Sequence, residues 1–367
     1  MQKKIIALAV AGLVSGSAFA QSTVTITGLF DTGVNMFSAE NAGTTTRTNR
    51  VGSASNSATT NVTFLAQEDL GGGMKAGLWL ETDPTAGSAN AAASLLNSQN
   101  YLWVSGGFGK VSLGFMNNFA LTSALQAQPF GVGMGGGYSG AFGRLNGTGV
   151  IGAPATVAAA TNAAAGAFAG ARDIRANNSV KWDSPSFSGF SGGLIYRAPN
   201  SGSGNGVADA DGQTQIGLNY NNGPLNLSFT HSNIQSNVNG VNTGVTTHNL
   251  LGANYTFASV TLYGGWTSSK VVGTAAAAPA ADARSWNVAL KWQATPSLAV
   301  MGNVLRSDDK LVADQDRNLN ALGLDYAMSK RTTAYVRWEG GDNDKSATTG
   351  FNSGKFNRTA AGLRHSF

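Results

Sequence analysis

SWNVALKW, Ser285 to Trp292, decides the fold. Trp286, Val288, Leu290 and Trp292 alternate with Ser285, Asn287, Ala289 and Lys291. On an extended backbone that spacing puts four large apolar side chains on one face and small or charged ones on the other. Two further runs repeat the pattern. In TQIGLNY, Ile216, Leu218 and Tyr220 oppose Gln215, Gly217 and Asn219; in LNLSFT, Leu225, Leu227 and Phe229 oppose Asn226, Ser228 and Thr230. A period of two marks half-buried strands, so the chain reads as all-β.

The spacers alternate as well. Tight turns fall at 69–73, 106–109, 184–187, 221–224, 257–259, 294–296 and 328–331. Between them lie long polar or small-residue stretches at about 38–57, 84–97, 118–171, 199–212, 235–246, 271–283, 307–316 and 341–354. Seven turns and eight loops make 15 connections, hence an expected 16 antiparallel strands. An even count with short turns on one side and long loops on the other is the layout of a transmembrane β-barrel. A soluble sandwich would alternate too. Aromatics near strand ends (Tyr196, Tyr220, Phe257, Trp266, Trp292, Tyr326, Trp338, Phe367) read instead as an interfacial girdle.

Composition agrees. Charged residues make up 12% of the chain, where a soluble domain carries about 25%. There are 49 glycines, 8 prolines and no cysteine, so no disulfide supports the fold. Residues 1–20 read as a cleaved export signal: Lys3 and Lys4, an apolar run from Ile5 to Val14, then Ala18-Phe19-Ala20 before Gln21. Without that leader the charge is 22 Lys+Arg minus 19 Asp+Glu, or +3, too mild to argue for a nucleic-acid partner. At the other end, LRHSF sets Leu363, His365 and Phe367 on one face and Arg364 on the other. The expected sixteenth strand, from about 355 to 367, thus anchors Leu363 and Phe367 in lipid and turns Arg358 and Arg364 toward water.

EDLGGGMKAGLWLE (Glu68 to Glu81), SGGFGKVSLG (Ser105 to Gly114), NNSVKWDSPSFSGF (Asn177 to Phe190) and the terminal AGLRHSF resemble the trimeric general porins of β-proteobacteria and Neisseria. VTITGLFDTGV (Val24 to Val34) looks like their first strand. The resemblance implies three 16-stranded barrels per particle in the outer membrane, each a passive channel for small hydrophilic solutes. It also implies a third external loop folded into the lumen, closure between the two chain ends, and an assembly machinery that reads the terminal aromatic. Lipid and lipopolysaccharide would surround the particle. Positions where the family carries bases read Asn61, Leu65, Ser98 and Phe115 here, and between Asn118 and Ala171 Arg144 is the only charged residue. The field across the pore is therefore expected to be weak, with a mild anion preference at most.

Alternation nominates the lumen side chains: Lys75, Lys181, Arg197, Lys291, Arg337, Arg358 and Arg364, with Asp31, Asp183 and Glu339 as acids and Trp79 beside Lys75 and Glu81. Lys181 and Arg197 flank a short turn and are expected low in the barrel; Arg144, Arg172 and Arg175 are the candidates for the narrowing. The plain alternative is that such charges only solvate a wet interior. Nothing points to an enzyme, a cofactor or a metal. Gly131 to Gly136 fits G-x-G-x-x-G but lacks the flanking strand and helix. His231, His248 and His365 have no ligand spacing, and the paired loop aspartates (209/211, 308/309, 314/316, 342/344) match no calcium loop. Two further readings remain open: a channel specific for an organic acid, sugar or aromatic compound, favoured by Trp79 and the uncharged third loop, and a barrel that only displays loops as an adhesin.

Overall fold

The computed structural model describes residues 22–41, 44–52, 56–84, 96–136, 175–199, 212–238, 241–273, 279–310, 317–343 and 354–367. The strands in chain order begin with β1 (Thr23–Asn41), β2 (Thr44–Gly52), β3 (Asn61–Gly71), β4 (Met74–Thr82), β5 (Asn100–Gly106) and β6 (Gly109–Asn117). A short helix, α1 (Phe119–Gln126), follows. Then come β7 (Arg175–Asp183), β8 (Phe190–Arg197), β9 (Gly212–Asn222), β10 (Leu225–Val238), β11 (Val241–Phe257) and β12 (Val260–Gly273). The last are β13 (Pro279–Gln293), β14 (Leu298–Asp309), β15 (Arg317–Ala327), β16 (Thr332–Asn343) and β17 (Gly354–Ser366).

Seventeen segments make a closed barrel of 16 staves, because β2 and β3 are two halves of one. β1 pairs with both, through residues 33–41 against β2 and 23–29 against β3. The break between the halves lets residues 56–60 turn inward. Every pairing is antiparallel, and β1 meets β17 to close the ring, with Asp31 opposite Arg364 and Leu29 opposite Ser366. Phe367 continues that seam: its N–H donates to the Gly28 carbonyl at 3.1 Å and its carbonyl accepts from Gly28 N–H at 3.2 Å. Closure of β1 on β17 joins the two ends of the sheet, which a chain in lipid requires. Among the described residues no helix is long and apolar enough to cross a membrane.

The barrel is inside out relative to a soluble core. Trp286, Val288, Leu290 and Trp292 are 48, 59, 38 and 46% exposed, while Ser285, Asn287 and Ala289 are 2, 1 and 3% exposed. The apolar face thus looks outward and the polar face packs within, as the alternation predicts. Leu363 and Phe367 lie on the outer face and Arg358 on the inner one. All seven tight turns fall where expected. The long connections at 38–57, 235–246 and 271–283 are shorter than the sequence suggests, since β1, β2, β10, β11, β12 and β13 run on into them as hairpins. Thr and Val favour strands, so small or polar composition alone overstates those loops. The export signal lies outside the described residues.

Candidate functional site

The lumen is shaped by residues 118–136, which fold inward after β6. Asn118 caps α1, its side chain accepting from Leu121 N–H at 3.4 Å, and Phe119 N–H donates to Gln215 Oε1 on β9 at 2.6 Å. Ser123 Oγ lies 2.7 Å from Ser228 Oγ and 2.8 Å from Thr230 Oγ1, both on β10. The helix comes this close because Gly252 on β11 has no side chain: a Cβ there would stand 1.9 Å from the Ser123 carbonyl oxygen. The carbonyls at its end are answered too, Gln126 by Asn254 Nδ2 at 3.2 Å and Ala127 by Asn287 Nδ2 at 2.7 Å.

The segment then follows the wall. Phe130 fills a buried cluster with Met301, Leu305, Leu319 and Ala321, and Arg337 sets its guanidinium 5.4 Å from the ring. Gly135 N–H donates to Glu339 Oε2 at 2.7 Å, and its carbonyl accepts from Asn303 Nδ2 at 3.1 Å. Gly135 has φ +110, a conformation a side chain would strain. Met134 N–H reaches the Asn56 carbonyl at 3.0 Å, on the inward turn between β2 and β3. The glycine-rich stretch 131–136 thus gains a packing reason that its motif-like spacing did not suggest. From β9 to β16, then, 118–136 lines about half the circumference and narrows the interior.

The charged wall beneath it is largely neutralised. Arg337 meets Asp325 at 2.7 Å, Arg364 meets the same carboxylate at 3.6 Å, and Arg358 meets Glu339 at 2.6 Å. Arg337–Asp325 and Arg358–Glu339 are charge contacts at angles away from a linear hydrogen bond. Asp31 is an anchor: it accepts from the N–H groups of Ser57 and Ala58 at 2.8 Å each and from the Tyr335 hydroxyl at 2.5 Å. On the facing wall Arg175 lies 3.2 Å from Asp83 and 3.6 Å from Glu81. Glu81 accepts from Ser98 Oγ, Gln99 Nε2 and Trp79 Nε1. Burial pushes the Asp83 carboxyl, just beyond β4, above its ordinary value, and Arg175 draws it back.

The expected bases therefore separate into groups. Arg175, Lys181, Arg337, Arg358 and Arg364 contact carboxylates. Lys75 and Lys291 have no carboxylate partner among the described residues. Arg144 and Arg172 lie outside the described residues. Arg197 is a correction: it ends β8, seven residues above the turn that Phe190 leaves, so it stands at the external end rather than low in the barrel. At about 3.3 Å per residue that is roughly 20 Å along the strand. Asp325, Tyr335 and Ser57 were not anticipated. Asp325 was within reach, since ALGLDYA alternates with Ala321, Gly323 and Asp325 on the inner face. Ser57 sits in a stretch that reads as an external loop, and no local pattern marks it.

A family model described as Gram-negative porin matches residues 7–346. Outer membrane porin protein 32 of Delftia acidovorans is 34% identical over 269 residues, 72% of this chain and 68% of that protein. Major outer membrane protein P.IB of Neisseria gonorrhoeae is 26% identical across 100% of both chains. Among solved structures, an anion-selective porin from Comamonas acidovorans has a TM-score of 0.76 at 24% identity, covering 95% of this chain and 100% of that one. A trimer form of OmpT, an outer membrane protein of Vibrio cholerae, has a TM-score of 0.63 at 13% identity, covering 94% and 99%.

Proposed function

The chain belongs to the Gram-negative porin family, and from that premise we propose how its lumen sorts solutes. It is an outer-membrane porin, a water-filled barrel through which small hydrophilic solutes and ions diffuse passively. Its family and fold are those of channels rather than enzymes. In our reading, residues 118–136 set the size limit. The ion pairs hold the wall rigid, and the bases in excess of carboxylates, Lys75 and Lys291 first among them, give a weak anion preference. The observation that carries this reading is the pairing itself. A base 2.6 to 3.6 Å from a carboxylate contributes little net field to a passing ion, so only the surplus steers.

We further read the particle as a homotrimer, after the trimer form of the Vibrio cholerae neighbour, with lipid and lipopolysaccharide against the apolar band. Export by residues 1–20 and recognition of Phe367 by the barrel-assembly machinery complete the proposal. Its test is swelling of proteoliposomes in neutral sugars of graded size. Rates that fall steeply with sugar size, and shift when residues 118–136 are deleted, support size selection by this segment. Rates indifferent to the deletion contradict it.

A further inference from the structure

One part of the wall, on β4 and β5, lies outside the inward segment 118–136. Trp79, Tyr101 and Trp103 alternate inward from β4 and β5. The rings of Trp79 and Tyr101 stack, centroids 6.0 Å apart and planes 10° from parallel. Trp103 pairs with Gly77, and a Cβ on that glycine would fall 2.5 Å from the indole, so the ring lies across it. Trp79 is fixed by donating its Nε1–H to Glu81 at 2.9 Å. The result is an aromatic ledge on the inner face, extended by Leu65, which pairs with Trp79.

Cations stand beside it. Trp103 pairs with Ser112, and Ser112 with Lys181, all on the same inner face. Two strand spacings put the Lys181 Cα about 10 Å from that of Trp103. Lys181 and Lys110 share one carboxylate, Asp183, at 3.2 and 3.9 Å, so the pair keeps a surplus positive charge. A planar ring on the ledge with a carboxylate at its edge would satisfy both features. The ring stacks on indole and phenol, and the anion faces the lysines across a span that a lysine stem can bridge.

We propose that this ledge and lysine pair form a binding site for aromatic monocarboxylates. The site rests on the open-channel reading and adds to it a saturable step for one solute class. An aliphatic acid would lack the stacking and a neutral phenol would lack the ion pair.

The test uses benzoate, with acetate, cyclohexanecarboxylate and phenol as controls, on the full protein in detergent micelles and in planar bilayers. Saturation-transfer NMR in micelles reads binding without requiring conduction. The expected results are transfer to the benzoate ring protons and saturable block of the current. Trp103→Leu and Lys181→Met should each weaken both by roughly tenfold, the ratio that about 1.4 kcal/mol represents. The strand spectrum of each variant verifies its fold. If benzoate and cyclohexanecarboxylate behave alike, or if neither variant changes the benzoate signal, the site is refuted while the channel stands. Benzoate binding in micelles without any conductance would refute the channel reading and leave the site.

Discussion

Glu339 is fully enclosed, and Arg358, itself 7% exposed, is the cation that meets it. Removing one member of such a pair leaves a charge buried without compensation, which costs about 3–5 kcal/mol. Arg358→Gln should therefore lower the unfolding temperature markedly, read from the heat-induced shift of the folded band on SDS gels; an unshifted transition would mean water already solvates Glu339. Asp31 carries a different load, accepting from Ser57, Ala58 and Tyr335. Hydrogen bonds to a charged group contribute roughly 1.5–3 kcal/mol each, so Asp31→Ala should free the 56–58 turn and destabilise the barrel by several kcal/mol. Lys291 has no carboxylate partner among the described residues. Lys291→Gln should move the reversal potential toward cations with the melting transition unchanged; the opposite pairing of effects would make Lys291 structural.

At the scale of elements, α1 is held by hydrogen bonds to β9, β10, β11 and β13 and by a glycine gap in the wall. Gly252→Val would place two methyl groups where the Ser123 carbonyl stands and force the helix off the wall into the pore. Single-channel conductance should fall, with the barrel's strand spectrum intact; unchanged conductance would mean the helix does not border the solute path. The strands were legible in the sequence because a period of two needs only near neighbours. The inner segment was legible in outline alone. Its contacts, such as Gly135 to Glu339 and Met134 to Asn56, join residues some 80 to 200 positions apart, and no local pattern encodes them. Arg197 was misplaced for a related reason: counting strands from turn chemistry does not fix how far a strand climbs before its last residue.

For the whole molecule, closure is the decisive property. Phe367 completes the seam through Gly28 while its ring stays on the lipid face. Deleting Phe367 should reduce the folded fraction recovered from outer membranes severalfold, and Phe367→Tyr should restore most of it; equal yields for deletion and wild type would show that the seam closes without it. The barrel, its hand of polarity and the short-turn side could be read from SWNVALKW outward. The balance of the lumen could not, because it depends on which acids lie across from which bases. Three of the arginines that alternation nominates for the lumen, Arg337, Arg358 and Arg364, turn out to face Asp325 and Glu339.

The most direct measurement is single-channel current of the detergent-purified protein in a planar bilayer across a KCl gradient. The account predicts stable open steps, grouped in threes, with a small reversal potential directed toward anions. A sealed barrel, or a clear cation preference, would contradict it.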